Sequence, residues 1–254
     1  MQKLRIIVLV FSLFIMNACT ELNRVAQTVV NQGLPLSNTE IIGGLKEALL
    51  VGTDSSVTHL SAVDGYLKDL AVKILLPPEA KTITDNLSKF PGGSRLVENV
   101  IVSINRAAED AAREAKPIFV KSIREMTFAD GLQILKGADN AATQYFRQKT
   151  NQQLIELYRP KIRVSLNKNL IAGISTQQSW NELTNRWNLL AGSAIGQITG
   201  LKKVDVKLED YLLQQALNGM FLKIEEREKD IRTNANARVT TLLKRVFGSQ
   251  KLAY

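Results

Sequence analysis

Few residues in this chain have side chains suited to common enzymatic chemistry. Its 254 residues include one histidine, His59, and one cysteine, Cys19. A Ser–His–Asp triad would need this single imidazole, and a Cys/His zinc site needs more ligands than the chain has. Thr58 and Ser61 add no metal-binding pattern to His59, so we expect a structural or surface role for it. We predict no catalytic residue, no metal site and no cofactor, which favours a non-enzymatic protein.

Two pairs of adjacent carboxylates do not form an acid–base pair either. Glu109 precedes Asp110, and Glu225 precedes Glu226, in segments with helical periodicity. Adjacent residues of a helix project in different directions, whereas glycan cleavage needs two carboxyl groups that face one bond. We interpret both pairs as solvated helix faces. A hydrolase of envelope polymers remains an alternative, which would require acidic or tyrosine side chains that converge in one cleft.

One segment, Gly137 to Lys149, combines a loop, a helix start and cations. The amides of a first helical turn and nearby cations suit an anionic ligand. The candidate anion-binding or ligand-binding residues are Asp139, Asn140, Thr143, Tyr145, Arg147 and Lys149. The alternative is that Asp139 and Asn140 only cap the helix and that Tyr145 packs in the core.

The chain opens with a pattern that resembles a bacterial lipoprotein signal. Two cations precede an uncharged apolar run, and Ala18 stands directly before Cys19, as in a lipobox. The run at residues 6–16 has 11 residues, about 16 Å of helix against a hydrocarbon core of about 30 Å, so it does not span a bilayer. We predict that residues 1–18 are a cleaved signal peptide and that Cys19 carries acyl chains such as palmitate. The alternative is a secreted protein with a free Cys19.

The residue after the cysteine bears on localisation. Thr20 stands where an Asp would resemble an inner-membrane retention signal. We therefore predict a lipid-anchored, periplasm-facing protein of the cell envelope, with the outer membrane favoured. Residues 19–37 are expected to form a flexible tether between the lipid and the body.

Charge is unevenly distributed along the mature chain. Residues 19–158 contain 15 basic and 16 acidic side chains, whereas residues 159–254 contain 16 basic and 8 acidic ones. A basic half is attracted to an anionic surface, although cations interspersed with acids are also typical of solvated helix faces. The predicted partners are the membrane, through the acyl chains, and an envelope protein or an anionic ligand. The export signal and the lack of interleaved aromatic residues argue against nucleic acid.

Hydrophobic periodicity predicts helices along almost the whole chain after the tether. We predict an all-α fold, a single multi-helix bundle of about ten helices with short loops, over residues 38–254. The predicted helices are Asn38–Leu50, Leu96–Ala115, Ile118–Met126, Thr127–Leu135, Ala141–Tyr158, Lys161–Leu170, Thr176–Leu190, Leu208–Ile224 and Ala235–Phe247.

Prolines and one capping motif set several of these boundaries. Pro117 is expected to end or kink the long amphipathic helix, and Pro160 to interrupt a later helix. Thr127 and Asp130 have the spacing of a capping box. Residues 191–206 contain three glycines and are expected to form a loop.

The segment Leu208–Ile224 is apolar nearly all around and predicts a central buried helix. Its charged continuation to Arg232 is expected to leave the core. A carrier of a hydrophobic ligand, held around Leu208–Leu222, is therefore an alternative function, which would require an apolar cavity lined by those residues.

Several blocks in one order resemble a bacterial family of exported, largely helical proteins of unknown function, many with lipoprotein signals. The blocks are Leu45–Leu49, Val51–Thr53, Asn105–Ala108, Ala115–Phe119, Met126–Phe128, Ile134–Gly137, Ala141–Phe146 and Leu242–Gly248. The resemblance covers residues 42–248 and implies a helical fold, but it brings no established activity and no catalytic residue. The leading hypothesis is a lipid-anchored envelope protein that acts as a non-enzymatic interaction or ligand-binding module.

Overall fold

A computed structural model of the protein describes residues 36–87, 93–169 and 173–248. The predicted signal peptide, Cys19 and nearly all of the tether lie outside the described residues. The chain divides into two units, Met1–Ile41 and a compact unit, Ile42–Tyr254. In the first unit, the amide of Glu40 donates to the hydroxyl of Ser37 at 3.2 Å, and the amide of Ser37 donates to the Glu40 carboxylate at 2.9 Å. These reciprocal bonds form a capping box at the start of the first helix.

Every regular element in these three ranges is helical, which confirms the all-α prediction. The described α-helices are α1 (Asn38–Ser61), α2 (Lys81–Leu87), α3 (Gly93–Ala112), α4 (Lys116–Glu125), α5 (Phe128–Leu135), α6 (Ala141–Asn167), α7 (Thr176–Gly192), α8 (Ala194–Ile198), α9 (Leu208–Thr233) and α10 (Thr241–Gly248). Short 3-10 turns lie at Pro78–Ala80, Arg113–Ala115 and Ala235–Ala237.

The core is built around the antiparallel pair α6 and α9. Asn140 at the start of α6 bonds Glu225 in the second half of α9, and Arg159 lies beside Glu209 at the start of α9. Between these ends, side chains of both helices are completely buried: Phe146, Leu154, Tyr158, Leu212, Ala216 and Met220. Helix α3 packs against α6, and the alanines in its second half are completely buried, which suits close approach of neighbouring helices.

An aromatic cluster connects α4 to this pair. The ring of Phe119 packs edge-to-face against Phe146 and Phe221, with centroid distances of 6.3 and 5.6 Å. Such contacts contribute about 0.5–1.5 kcal/mol beyond the burial of the rings. The cluster therefore fixes α4, α6 and α9 against one another.

Proline has different effects at two positions. Pro117 lies in the first turn of α4, where its missing amide is not needed, and it separates α4 from α3 as expected. The prediction that Pro160 interrupts a helix is wrong, because α6 continues through it to Asn167. Tyr158 and Ile162 anchor the helix in the core on either side, whereas Pro160 is exposed, so the lost hydrogen bond faces solvent.

Helix α9 is longer and more deeply buried than its sequence indicates. The expectation that its charged continuation leaves the core is wrong, because Glu228 and Ile231 are buried. Helices α1 and α10 cover this part of α9 and enclose with it a cavity of about 10 Å³, room for about one water molecule.

Other boundaries also differ from the prediction. Helix α1 continues past Leu50 to Ser61, and residues 191–206, expected to be a loop, contain α8. The predicted last helix is divided because the buried side chain of Arg238 turns back to bond the carbonyls of Ile231 and Arg232 at 2.9 and 2.8 Å. The capping box of Thr127 and Asp130 is confirmed at the start of α5.

Candidate functional site

The carboxylate of Glu228 binds at the start of α6, where the sequence predicts a candidate anion-binding site. Its oxygens accept hydrogen bonds from the amides of Ala142 and Thr143, both at 2.9 Å, and from the Thr143 hydroxyl at 2.8 Å. Arg232 donates to the same carboxylate at 2.9 Å and to the carbonyl of Ile134 at 3.0 Å. The side chains of this ion pair are only 5% and 9% exposed. A carboxylate of α9 therefore binds the first-turn amides of α6.

Two other candidate residues face α9 along the same side of α6. Asn140 precedes the helix but makes no capping hydrogen bond with its side chain, which donates instead to Glu225 at 3.1 Å. The guanidinium of Arg147 lies 4.5 Å from the centre of the Phe221 ring, within the range of a cation–π contact. The Glu228 carboxylate, rather than Asn140, caps α6.

The remaining candidate residues point elsewhere. Burial of the Tyr145 hydroxyl, together with its hydrogen bond to Asp130 on α5, raises the pKa of Tyr145 to about 12. Asp139 and Lys149 are exposed. The structure therefore does not gather the six residues around one common space.

Glu109 and Asp110 are not a solvated face, and this interpretation is wrong. Glu109 is 4% exposed. Its carboxylate accepts from the amides of Tyr66 and Leu67, each at 3.2 Å, and pairs with Arg106 at 2.6 Å. Asp110 accepts from Ser165 near the end of α6 and from Lys168 directly after it, both at 2.6 Å. The two carboxylates project in different directions, and each binds its own segment of the fold.

The irregular loop between α1 and the first 3-10 turn, residues 62–77, is built into the core. Asn105 of α3 accepts from the amide of Ile74 at 2.9 Å and donates to its carbonyl at 2.7 Å. The buried hydroxyl of Tyr66 donates to the carbonyl of Ala216 on α9 at 2.8 Å. Long loops without regular structure are uncommon in compact domains and often functional, which makes this loop a candidate site.

The only histidine lies where this loop meets α1 and α9, in a concavity that we name the His59 pocket. It has a volume of about 90 Å³ and is lined by Ser56, His59, Asp69, Lys223, Glu226 and Arg227. Nε2 of His59 and Nζ of Lys223 lie 3.0 and 2.7 Å from the same oxygen of Asp69. Burial would raise the pKa of Asp69, but the hydrogen bonds from Lys223 and His59 outweigh it and hold that pKa below its ordinary value.

The chemistry of the His59 pocket is limited by its partners. A carboxylate can orient an imidazole for catalysis, but a nucleophile within hydrogen-bond distance is also required. The buried Ser56 hydroxyl instead donates to the carbonyl of Gly52 at 2.8 Å. Lys223 also bonds Glu226 at 2.8 Å. The ion pairs leave little net charge for a ligand, so the pocket mainly connects the loop to α1 and α9.

An open polar cleft of about 530 Å³ lies beside the start of α9. Arg163 makes two hydrogen bonds with Glu209, at 2.8 and 2.9 Å. Arg159 pairs with both Glu209 and Asp210. These arginines of α6 are thus engaged with carboxylates of α9, and the cleft walls hold the central helix pair together.

Comparison with known families gives a match over most of the chain. The model of a family described as "Protein of unknown function (DUF4197)" matches residues 35–248. The chain belongs to DUF4197. No curated protein and no solved structure matches it.

Two blocks that carry the family resemblance have structural roles in this DUF4197 chain. In the block Asn105–Ala108, Asn105 binds the loop at residues 62–77 directly. Arg106 pairs with Glu109, whose carboxylate binds amides of the same loop. The block Ala141–Phe146 forms the start of α6, and the amide of its second residue, Ala142, donates to the carboxylate of Glu228. Within the described residues, no group of three or more His, Cys, Asp and Glu side chains is placed to hold a metal ion. None of the helices in the described ranges has the length and apolar composition needed to cross a membrane.

Asn105 and Glu228 are core residues that were not predicted, although the sequence contains a signal for each. Asn105 follows Ile101 by four residues and precedes Ala108 by three, within the apolar stripe of α3. Glu228 stands four residues from Ile224 and three from Ile231, in the apolar stripe of α9. A polar residue at a core position of an amphipathic helix predicts a buried hydrogen-bond partner.

Proposed function

We propose that this DUF4197 protein is a lipid-anchored component of the cell envelope, and that its helical body is a non-enzymatic interaction or ligand-binding module. The body faces the periplasm, and the outer membrane is the favoured site of the anchor.

The observation that carries the proposal is Ala18-Cys19, separated by only Asn17 from the apolar run at residues 6–16. Cleavage before Cys19 places its thiol and amino group at the new N-terminus, where both become sites for acyl chains. Each buried methylene contributes about 0.8 kcal/mol, and a protein with more than one chain is anchored stably. The anchor requires no membrane-spanning helix.

The internal partners of the reactive side chains support a binding role over a catalytic one. His59 is bound to Asp69, the Ser56 hydroxyl to a helix carbonyl, and Glu228 to Arg232 and two amides. A hydrolase needs carboxyl groups free to face a substrate bond. These groups instead bond to other parts of the fold.

The packing of α9 bears on the alternative of a hydrophobic-ligand carrier. Leu212, Ala216 and Met220 are completely buried. A ligand at these positions would have to displace core side chains, at a cost of several kcal/mol. The packed helix favours an interaction surface on the exterior of the body.

The anchor is tested by mass spectrometry of the N-terminal peptide from membranes of the native host. We expect the wild-type peptide to begin at Cys19 and to carry the mass of a diacylglycerol and a fatty acid. A Cys19→Ala variant should lack these groups and leave the membrane fraction. Asn17→Gly, which keeps the cysteine and enlarges no side chain, should remain acylated. An unmodified Cys19 in the wild type, or an N-terminus elsewhere, contradicts the anchor.

The binding role is tested by crosslinking in intact cells followed by purification of the acylated chain. One envelope component recovered reproducibly at near-equal amounts supports an interaction module. Recovery of lipoprotein-processing and lipoprotein-sorting proteins alone contradicts it.

A further inference from the structure

The end of α7 and the short helix α8 form an apolar tip, which we define by Leu189, Leu190, Ile195 and Ile198. These residues are 77%, 36%, 69% and 86% exposed. Single exposed apolar residues are ordinary, but four large exposed aliphatic residues within ten residues of the chain, on two consecutive helices, mark an interaction surface.

The apolar tip has a defined shape because the following segment ties it to α7. The indole Nε1 of Trp187 donates to the carbonyl of Lys202 at 2.9 Å. The side chain of Asn188 accepts from the amide of Val204 at 2.8 Å and donates to its carbonyl at 2.9 Å. The segment between them, which carries the four aliphatic residues, is therefore held at both of its ends by hydrogen bonds.

Polar groups of the apolar tip bond within the tip itself. The Ser193 hydroxyl donates to the carbonyl of Leu190 at 2.7 Å and accepts from the amide of Gly196 at 3.1 Å. The Thr199 hydroxyl donates to the carbonyl of Ile195 at 2.8 Å. Backbone amides bonded to nearby carbonyls are those of Ser193, Gln197, Thr199, Gly200 and Leu201. Internal bonding of this kind lowers the cost of moving a segment from water to the edge of a bilayer.

Charge around the apolar tip favours an anionic surface. The 15 residues from Trp187 to Leu201 carry no charge. Arg186 precedes them and pairs with Glu182 at 2.6 Å, and the exposed Lys202 and Lys203 follow directly. Lysines at the rim of an apolar surface interact favourably with anionic headgroups.

We propose that the apolar tip inserts into the headgroup region of a bilayer that contains anionic lipid, with Lys202 and Lys203 at the level of the phosphates. The tip then gives the body a second membrane contact besides the acyl chains. This contact is non-covalent and does not depend on acylation of Cys19, so the two proposals can fail separately.

The test is sedimentation of the mature chain, residues 19–254, with phosphatidylcholine vesicles that contain about one third phosphatidylglycerol. Cys19→Ser removes the acylation site, and the compact unit Ile42–Tyr254 lies wholly within this chain. We expect binding to these vesicles at least tenfold stronger than to phosphatidylcholine alone.

Matched variants assign that binding to the apolar tip. The combined change Leu189→Gln, Ile195→Gln and Ile198→Gln should weaken binding at least tenfold, because glutamine favours helix but gains nothing from the bilayer. Leu70→Gln, at a residue that is 89% exposed outside the tip, should leave it unchanged. Lys202→Gln and Lys203→Gln should each weaken binding roughly fivefold at low salt.

A tryptophan introduced at the apolar tip gives a second measurement of its insertion into the bilayer. Trp180 and Trp187 are buried, so in the Ile198→Trp variant the added indole should account for a blue shift of emission with anionic vesicles. Circular dichroism verifies that every variant is folded. Absence of vesicle binding by the wild-type sequence, full binding by the triple variant, or unshifted emission each overturns the proposal. Self-association through the tip without vesicle binding also overturns it and identifies a second copy as the occupant.

Discussion

Single buried carboxylates join elements of this fold that are far apart in sequence. Glu228 connects α9 to the start of α6, and Glu109 connects α3 to the loop at residues 62–77. Each accepts two backbone amides and pairs with one arginine of its own helix. A buried charge with complete hydrogen bonding is tolerated, but removal of one partner leaves the other charge uncompensated. These residues should therefore be sensitive to substitutions that preserve their size.

Glu228→Gln should lower the free energy of unfolding by about 3 kcal/mol, because Arg232 loses its counterion in a buried site. Urea denaturation followed by circular dichroism measures this change. Glu225→Gln, on the same helix, retains an oxygen that accepts from Asn140 and should cost less than about 0.5 kcal/mol. Equal losses in the two variants would contradict a special role for Glu228.

Asp69 should make stability depend on acid pH. Its pKa in the folded protein lies below the ordinary value, because the bonds from Lys223 and His59 outweigh burial. Its contribution to the free energy of unfolding is therefore complete above the unfolded-state pKa of about 3.9. This contribution is lost as the pH falls through the lower folded-state pKa.

Asp69→Asn should accordingly lower the free energy of unfolding by about 1–2 kcal/mol at neutral pH. The difference from the wild type should close as the pH is lowered below about 4. Urea titrations across this pH range measure the effect, and the exposed Asp205→Asn serves as the control. A difference that stays constant with pH would show that the ionised carboxylate is not what stabilises the loop.

At the scale of elements, packing decides where helices end more than local sequence does. Helix α6 passes Pro160 because residues on both sides are fixed in the core, and α9 stays buried past Ile224 because its charges find internal partners. Local propensity is a weak determinant when a helix buries one face along its whole length.

Pro160→Ala should raise the free energy of unfolding by about 2 kcal/mol, because alanine supplies the missing amide in the interior of α6 and removes the steric clash of the proline ring. Thermal and urea unfolding measure the gain. Pro117→Ala is the matched control, because Pro117 already fits the first turn of α4, and it should give no gain. A loss of stability in Pro160→Ala would indicate that the fold requires the proline geometry in α6.

At the scale of the whole molecule, the described helices of the compact unit share one core. Helix α6 contacts α3, α4, α5, α7 and α9. Loss of either central helix removes the burial of most others, so unfolding should be cooperative.

Tryptophan fluorescence and far-UV circular dichroism should therefore give the same urea midpoint. Trp180 and Trp187 report on α7, whereas circular dichroism reports on all helices. A fluorescence midpoint at lower urea would contradict one cooperative unit and indicate that α7 unfolds first.

Sequence patterns were sufficient for the helical class, the capping box at Thr127 and the break between α3 and α4 near Pro117, because periodicity and capping act within a few residues. They also supplied the lipobox-like pattern at Cys19, which stays a prediction. The candidate anion site illustrates the limit of such patterns. Its cations and helix start are evident in the sequence, but the amides are bound by Glu228 from a segment 85 residues away.

The sequence by itself determined that the body of the chain is helical, since amphipathic periodicity is a local property. Tertiary structure alone decided which distant partners the buried polar residues bind and which apolar residues stay exposed. Glu109 is enclosed while Ile198 faces solvent, because burial depends on which distant segments pack nearby.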